Sequence, residues 1–173
     1  GTLIESKGQQ YVIEALAMLS SSNARCVLLG EGPQQAQLKK IAENLRVSDR
    51  VLFPGYRTDI IDWLAITDIY LQISAHDALP NALIEAMFLG IPPIVSDIST
   101  IAELVENGVH GIAVPPRSPR PLARAIETLL TDNELRKKYG AASRACVTKK
   151  CSMDRLARQI LENTPPMNVS GKQ

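Results

Sequence analysis

Short apolar runs alternate with longer stretches of helical apolar spacing along the chain. The runs predict strands over 26–29, 51–53, 69–73, 93–96 and 111–114. Apolar positions three or four residues apart predict helices over 11–19, 38–45, 60–65, 81–89, 100–105, 122–130, 135–146 and 154–162. Strands that alternate with helices are typical of an α/β domain, and we expect a doubly wound, mainly parallel sheet.

The length of 173 residues suits one domain. We expect this domain to occupy residues 1–163 and the polar residues 164–173 to form a flexible tail. A doubly wound sheet starts with a strand that lies in mid-sheet, whereas this chain passes from residues 1–7 directly into a helix. The sequence therefore predicts that the first strand is missing, upstream of Gly1, and that adding it back raises the melting temperature.

The charge balance and the apolar pattern exclude several classes of protein. The chain has nineteen basic and eighteen acidic residues, and the resulting net charge of +1 argues against a nucleic-acid-binding module. No apolar run approaches the ~20 residues of a membrane-spanning helix, and no signal sequence opens the chain. We expect a cytoplasmic protein, with a peripheral membrane association of the full-length form left open. The three cysteines and two histidines lack metal-ligand spacing, which predicts no metal site.

The segment 74–87 carries the most informative chemistry. It joins the end of a strand to the start of a helix, the place where open α/β sheets bind ligands. Free backbone N–H groups near Asn81, together with the helix dipole, favour a phosphate. Glu85 lies one turn later, and its carboxylate can hold the two vicinal hydroxyls of a ribose. Asp77 precedes the helix and can reach a third group. The alternative is that Asp77 caps a turn and Glu85 faces solvent.

Five segments occur in an order and spacing that identify a family. They are Lys7-Gly8 with Ile13-Glu-Ala-Leu16, Gly30-Glu-Gly-Pro33, Val51-Leu-Phe-Pro-Gly55, Asp77-Ala-Leu-Pro-Asn-Ala-Leu-Ile-Glu85-Ala-Met, and Ile101-Ala-Glu-Leu-Val-Glu-Asn-Gly108 with Gly111-Ile-Ala-Val-Pro115. Together they resemble the C-terminal, donor-binding half of retaining GT-B glycosyltransferases of family 4. The resemblance covers nearly the whole chain and implies a Rossmann-like sheet.

The resemblance also implies roles for particular residues. The implied catalytic residues are Lys7, which neutralises the departing pyrophosphate, and Asp77, which contacts hydroxyls of the transferred sugar. The implied donor-binding residues are Glu85 on the ribose, Leu79, Pro80, Asn81 and Ala82 near the sugar and phosphates, Gly30 and Gly32 beside the nucleotide, and Arg57 at the end of a base-pocket stretch that begins at Phe53. Structural alternatives exist, because Lys7 can be a solvated charge, the glycines ordinary turn formers, and Phe53 plain core.

The implied activity is transfer of a sugar from a nucleotide-diphosphate donor to an acceptor hydroxyl, with retained configuration. No cofactor is implied, and the absence of a D-x-D motif fits the metal-independent type. The acceptor, a glycan, lipid or small molecule, would bind through a missing N-terminal domain. The 173 residues alone are therefore expected to bind the nucleotide weakly and to transfer nothing.

Two departures from the family pattern support an alternative function. Thr2 stands where the family usually has an arginine on the pyrophosphate, and Asp77 is one methylene shorter than the usual glutamate. These changes favour a degenerate, non-catalytic module for nucleotide-sugar binding or assembly. A sugar-nucleotide epimerase fits the segment 77–87 less well, and a dehydrogenase lacks its G-x-G-x-x-G motif.

Overall fold

A computed structural model describes residues 1–20, 23–76 and 81–150. The strands are β1 (Cys26–Leu29), β2 (Val51–Gly55), β3 (Tyr70–Gln72), β4 (Pro93–Ser96) and β5 (Ile112–Val114). The helices are α1 (Gln9–Met18), α2 (Gln35–Asn44), α3 (Ile60–Ala65), α4 (Asn81–Phe88), α5 (Ser99–Ala102), α6 (Pro119–Thr131) and α7 (Asn133–Lys150). All five predicted strands and the first seven predicted helices are present, but the helix predicted over 100–105 ends at Ala102. The helix predicted over 154–162 and the predicted tail lie outside the described residues, so the domain bounds stay predictions.

The described strands form two parallel groups. In one, β1 pairs with β2, with Cys26 opposite Val51. In the other, the order is β3-β4-β5, with Tyr70 opposite Pro93 and Ile94 opposite Ile112. All described pairings are parallel, so the carboxyl ends of the strands in each group lie at one edge.

Residues 1–8 run between the two groups. The α-amino group of Gly1 donates to the Leu29 carbonyl at 2.6 Å, and the Leu3 amide donates to the Glu31 carbonyl at 2.9 Å. Farther along, Gly8 packs directly against the Ile73 carbonyl at the end of β3. This segment therefore links the carboxyl ends of β1 and β3. The expected upstream first strand stays a prediction.

Helices cover both faces of the three-stranded group. Ile94 and Val114 join the core cluster built with α1 and α6. Their neighbours Val95 and Ala113 point the other way and pack with residues of α4, α5 and α7. Successive strand side chains face opposite sides of a sheet, so this alternation gives the two cores of a doubly wound fold. The predicted fold class is confirmed.

The first strand group is covered less completely than the sequence predicts. The apolar run 26–29 predicts a buried strand, and Leu28 is indeed buried in the main core. Val27, on the opposite face, is 39% exposed, and Leu52 of β2 is 44% exposed. Apolar character in a short strand does not reveal whether one face or two are covered.

The described residues contain neither a helix that could span a membrane nor a cluster of metal-binding side chains. None of their helices combines the length and apolar character that crossing a bilayer requires. Among them, no three His, Cys, Asp or Glu side chains come together in a way that could hold a metal ion. Cys26 and Cys146 are free thiols, and burial raises the pKa of Cys26 to about 12, which keeps it protonated near neutral pH.

Candidate functional site

Four chain segments lie at or beside the carboxyl ends of the strands, and three of them contain predicted site residues, namely Gly30 and Gly32, Arg57, and Lys7. Residues 30–32 follow β1, residues 56–57 follow β2, residues 73–76 follow β3, and the turn that contains Lys7 lies beside β3. This edge is where open α/β sheets bind their ligands. Asp77, Leu79 and Pro80 belong to the same predicted site but lie outside the described residues, so their roles stay predictions.

The Lys7 turn is fixed to the end of β3. Residues Glu5–Lys7 form a single 3-10 turn that ends at Gly8 with a φ of 71°. The Ala75 amide, just after β3, donates to the Ser6 carbonyl at 2.8 Å. Lys7 also lies near Gly1: burial first, and the Lys7 charge second, lower the pKa of the Gly1 α-amino group. The structure therefore places the Lys7 backbone next to the segment that leads into α4, although the two are 67 or more positions apart in sequence.

Gly8 is the residue that makes this contact possible. A Cβ atom at position 8 would overlap the Ile73 carbonyl, and the left-handed φ is itself costly for other residues. We expect Gly8→Ala to lower the free energy of unfolding by about 2–4 kcal/mol, the sum of the left-handed penalty and an overpacking term. Urea denaturation monitored by circular dichroism measures the effect.

Gly108 supplies the matched control. Its φ of 76° is almost the same, but a Cβ atom there would meet nothing within 4 Å. Gly108→Ala should therefore cost only the left-handed penalty of about 1 kcal/mol. Equal losses for the two variants would contradict the assigned contact between Gly8 and Ile73.

The two glycines after β1 pack against residues 1–3. A Cβ atom on Gly30 would overlap the carbonyl of Gly1, and one on Gly32 would overlap the backbone of Leu3. The Gln34 amide donates to the Leu3 carbonyl at 3.1 Å, which closes this turn. Close packing against residues 1–3 therefore explains why glycine occupies both positions. The approach of these glycines to a nucleotide stays a prediction.

Helix α4 presents two of the predicted donor-binding residues to solvent. Leu83, Ala86 and Met87 form its buried face. Asn81 and Glu85 are both exposed, and residues four apart share a helix face. Ala82 is half-buried beside them. The carboxylate of Glu85 is therefore accessible to a ligand that meets the start of this helix.

Arg57 is held by side chains of its own neighbourhood. Its guanidinium forms two hydrogen bonds with the Asp59 carboxylate, at 2.8 and 2.6 Å, and lies 5.9 Å from the centre of the Trp63 ring. The hydrogen bonds are the main reason that the pKa of Arg57 is raised and that of Asp59 is lowered. Binding of Arg57 to a nucleobase stays a prediction. A nucleobase at this place would meet a guanidinium that is already bonded to Asp59.

Tyr56 and Glu31 complete the end of β2. Tyr56 is 74% exposed, and its backbone amide donates to Glu31 Oε1 at 3.5 Å. The Gly30 amide donates to the Gly55 carbonyl at 2.8 Å. Two hydrogen bonds therefore join the glycine turn after β1 to the end of β2, and a nucleotide pocket at this place stays a prediction.

Sequence reasoning missed a row of polar side chains along β3. Tyr70 Oη donates to Gln72 Oε1 at 2.8 Å, and Gln72 Nε2 donates to Ser74 Oγ at 3.0 Å. The signal was available, because Gln72 is a polar residue inside an otherwise apolar strand. Tyr70 falls in the predicted strand over 69–73 and Ser74 in the predicted loop after it, and the sequence does not show that Gln72 bonds to both.

A separate cavity of about 440 Å³ is lined in part by residues of β4 and β5. It lies between α5, the loop after it and the last residue of α7, and contains none of the predicted site residues. Its lining includes Val95, Glu103, Glu106, His110 and Lys150.

The chain matches a known family over most of its length. Residues 1–145 match the family described as glycosyl transferases group 1. The lipopolysaccharide core biosynthesis glycosyltransferase LpsE of Rhizobium meliloti is 34% identical over 136 residues, which cover 79% of this chain and 39% of LpsE. The chain thus spans about two-fifths of the length of this curated relative.

Solved structures show the same fold. The Anabaena protein Alr3699/HepE, crystallised with UDP, is 27% identical and superposes with a TM-score of 0.89 over 94% of this chain and 46% of that one. The C-terminal domain of a glycosyl transferase group 1 family protein (LpcC) of Francisella tularensis superposes with a TM-score of 0.82 over 88% of this chain and 84% of that domain. It is 23% identical, so it supports the fold alone. The predicted Rossmann-like C-terminal half of a GT-B fold is confirmed.

Proposed function

The chain belongs to the glycosyl transferases group 1 family, and we propose that it is the part of such an enzyme that binds the nucleotide-diphosphate sugar. The whole protein would transfer that sugar to an acceptor hydroxyl with retained configuration, as the family 4 pattern implies. A further domain would bind the acceptor. The proposal extends to a metal-independent reaction in the cytoplasm.

The supporting observation is the fixed placement of the Lys7 turn beside the segment that precedes α4. The hydrogen bond from Ala75 to Ser6 and the packing of Gly8 on Ile73 join two segments distant in sequence. On this proposal, the Lys7 cation and the start of α4 meet the same ligand, and both favour phosphate oxygens. Glu85 follows one turn along the helix, suited to a ribose.

These groups give each chain segment a task in the transfer. When the bond between the sugar and the diphosphate breaks, the electron pair leaves with the nucleoside diphosphate. Lys7 and the first N–H groups of α4 stabilise the charge that develops on this leaving group. Glu85 binds the ribose hydroxyls and so fixes the position of the donor along the site. Asp77 is proposed to hold hydroxyls of the sugar.

Titration with three nucleotides tests the donor proposal. We expect the 173-residue chain to bind UDP more tightly than GDP or ADP, with HepE and its bound UDP as the reason to name this base. Isothermal titration calorimetry measures the affinities. Trp63, the only tryptophan, lies beside Arg57 and gives a fluorescence signal for occupation of the base end. No binding of any of the three nucleotides would overturn the proposal.

A non-catalytic module is the second candidate, and Thr2 favours it. Thr2 stands at the position of the family's arginine, and its carbonyl accepts a hydrogen bond from Gln9 Nε2 at 3.1 Å. The two candidates differ in the full-length protein. Nucleotide binding with sugar transfer supports the enzyme, whereas binding without hydrolysis or transfer of the donor sugar supports the module.

A further inference from the structure

The polar row on β3 lies beneath α4. Tyr70, Gln72 and Ser74 alternate with Leu71 and Ile73, which pack into the core on the opposite face. Tyr70 packs against the two clusters that contain the buried residues of α4. The row therefore runs under the helix that carries Glu85, from the beginning of β3 toward its carboxyl end.

Ser74 ends the row at the base of the segment that enters α4. It is 1% exposed, and the next residue, Ala75, donates its amide to Ser6 at 2.8 Å. Gln72 Nε2 donates to Ser74 Oγ from within the sheet at 3.0 Å. The end of β3 is thus held on one side by the Lys7 turn and from below by the Gln72 amide.

A structural role alone does not explain an amide at position 72. Gln72 is half-buried on β3, the edge strand of its described group. Leucine has a similar volume and would suit such a position, whereas a buried polar atom is tolerated there only when it is hydrogen-bonded. Gln72 is bonded on both sides, with its carbonyl oxygen on Tyr70 and its amide nitrogen on Ser74. These two hydrogen bonds orient the Gln72 amide, because its oxygen and its nitrogen each have a partner on a different side.

We propose that Gln72 is a positioning residue, which acts through Ser74 to hold the base of the donor-binding segment before α4. This inference rests on the proposed donor function. Gln72 lies on β3 and acts on the donor only through Ser74 and Ala75. Its effect is to keep Ser74 and Ala75 in the place where Lys7 and the start of α4 face the same ligand.

Amide hydrogen exchange by NMR tests the anchoring without any ligand. In Gln72→Leu, the exchange of the Ala75 amide should accelerate about tenfold relative to amides of α6, while the urea midpoint changes little. Tyr70→Phe, which removes only the outer hydroxyl, should give a smaller acceleration of the same amide. Ser143→Ala is the matched control, because Ser143 is also buried and its hydroxyl donates to Gly140 within α7 at 3.0 Å.

UDP affinity, measured on the same variants, separates the two proposals. Binding by the wild type and about tenfold weaker binding by Gln72→Leu, with Ser143→Ala unchanged, supports both. Local acceleration at Ala75 without UDP binding by the wild type supports the anchoring and overturns the donor function. If the Ala75 amide accelerates only in step with global unfolding, or if UDP affinity is unchanged in Gln72→Leu, the positioning role is wrong.

Discussion

Replacement of Glu85 by alanine is expected to weaken UDP binding by about 100-fold. The carboxylate is exposed on α4, one turn after the start of the helix, where it can accept hydrogen bonds from both ribose hydroxyls. Two charge-assisted bonds of about 1.5 kcal/mol each correspond to this factor. Glu85→Gln should lose less, because the amide keeps one acceptor oxygen. Calorimetric titration of the variants with UDP gives the ratio.

Glu43→Ala is the control that tests whether loss of any exposed helical glutamate weakens UDP binding. Glu43 is also exposed on a helix, but it lies in the last turn of α2, which runs away from the carboxyl edge. Its replacement should leave UDP affinity unchanged. A loss shared by both variants, or none in Glu85→Ala, would remove the ribose role of Glu85.

Replacement of Lys7 by methionine is expected to weaken UDP binding by about 10- to 100-fold and to leave uridine binding unchanged. Methionine keeps the length of the side chain and removes the charge that is proposed to face the diphosphate. The factor corresponds to one charge-assisted hydrogen bond of about 1.5–3 kcal/mol. The wild-type affinity for UDP should also fall more steeply with added salt than that of the variant.

Lys40→Met tests whether any lost charge has this effect. Lys40 is exposed on α2, and its removal changes the net charge by the same amount. UDP affinity should stay at the wild-type value in Lys40→Met. Equal effects of Lys7→Met on UDP and uridine would mean that Lys7 supports the fold rather than the diphosphate.

The elements most completely predicted from the sequence are those with compact apolar signals. Strand Pro93–Ser96 and helix Ile60–Ala65 have the predicted bounds. The strand is one short apolar run and the helix has one apolar face, and polar or turn-forming residues lie near both ends of each. The helix predicted over 100–105 ends at Ala102 instead. The amides of Leu104 and Val105 both donate to the Ile101 carbonyl, which closes a turn there.

The sequence predicts a set of candidate site residues but not the contacts that these residues make. The resemblance to the family named Lys7 and Gly30, and the strand-to-helix junction over residues 74–87 named Glu85. The Ala75 to Ser6 bond, the Asp59 partner of Arg57 and the Gln72 row depend on which side chains meet in three dimensions. A single sequence carries the residue types for such contacts but not their pairing.

The most direct measurement is a titration of the isotope-labelled chain with UDP, followed by amide chemical shifts. A nucleoside diphosphate at the carboxyl edge predicts shifts at Lys7 and Gly8, at residues 30–32, at Ala75 and at residues 81–85, all saturating with one affinity. Shifts confined to the cavity near His110 and Lys150, or no saturable shift at all, would contradict a donor site built from the Lys7 turn and α4.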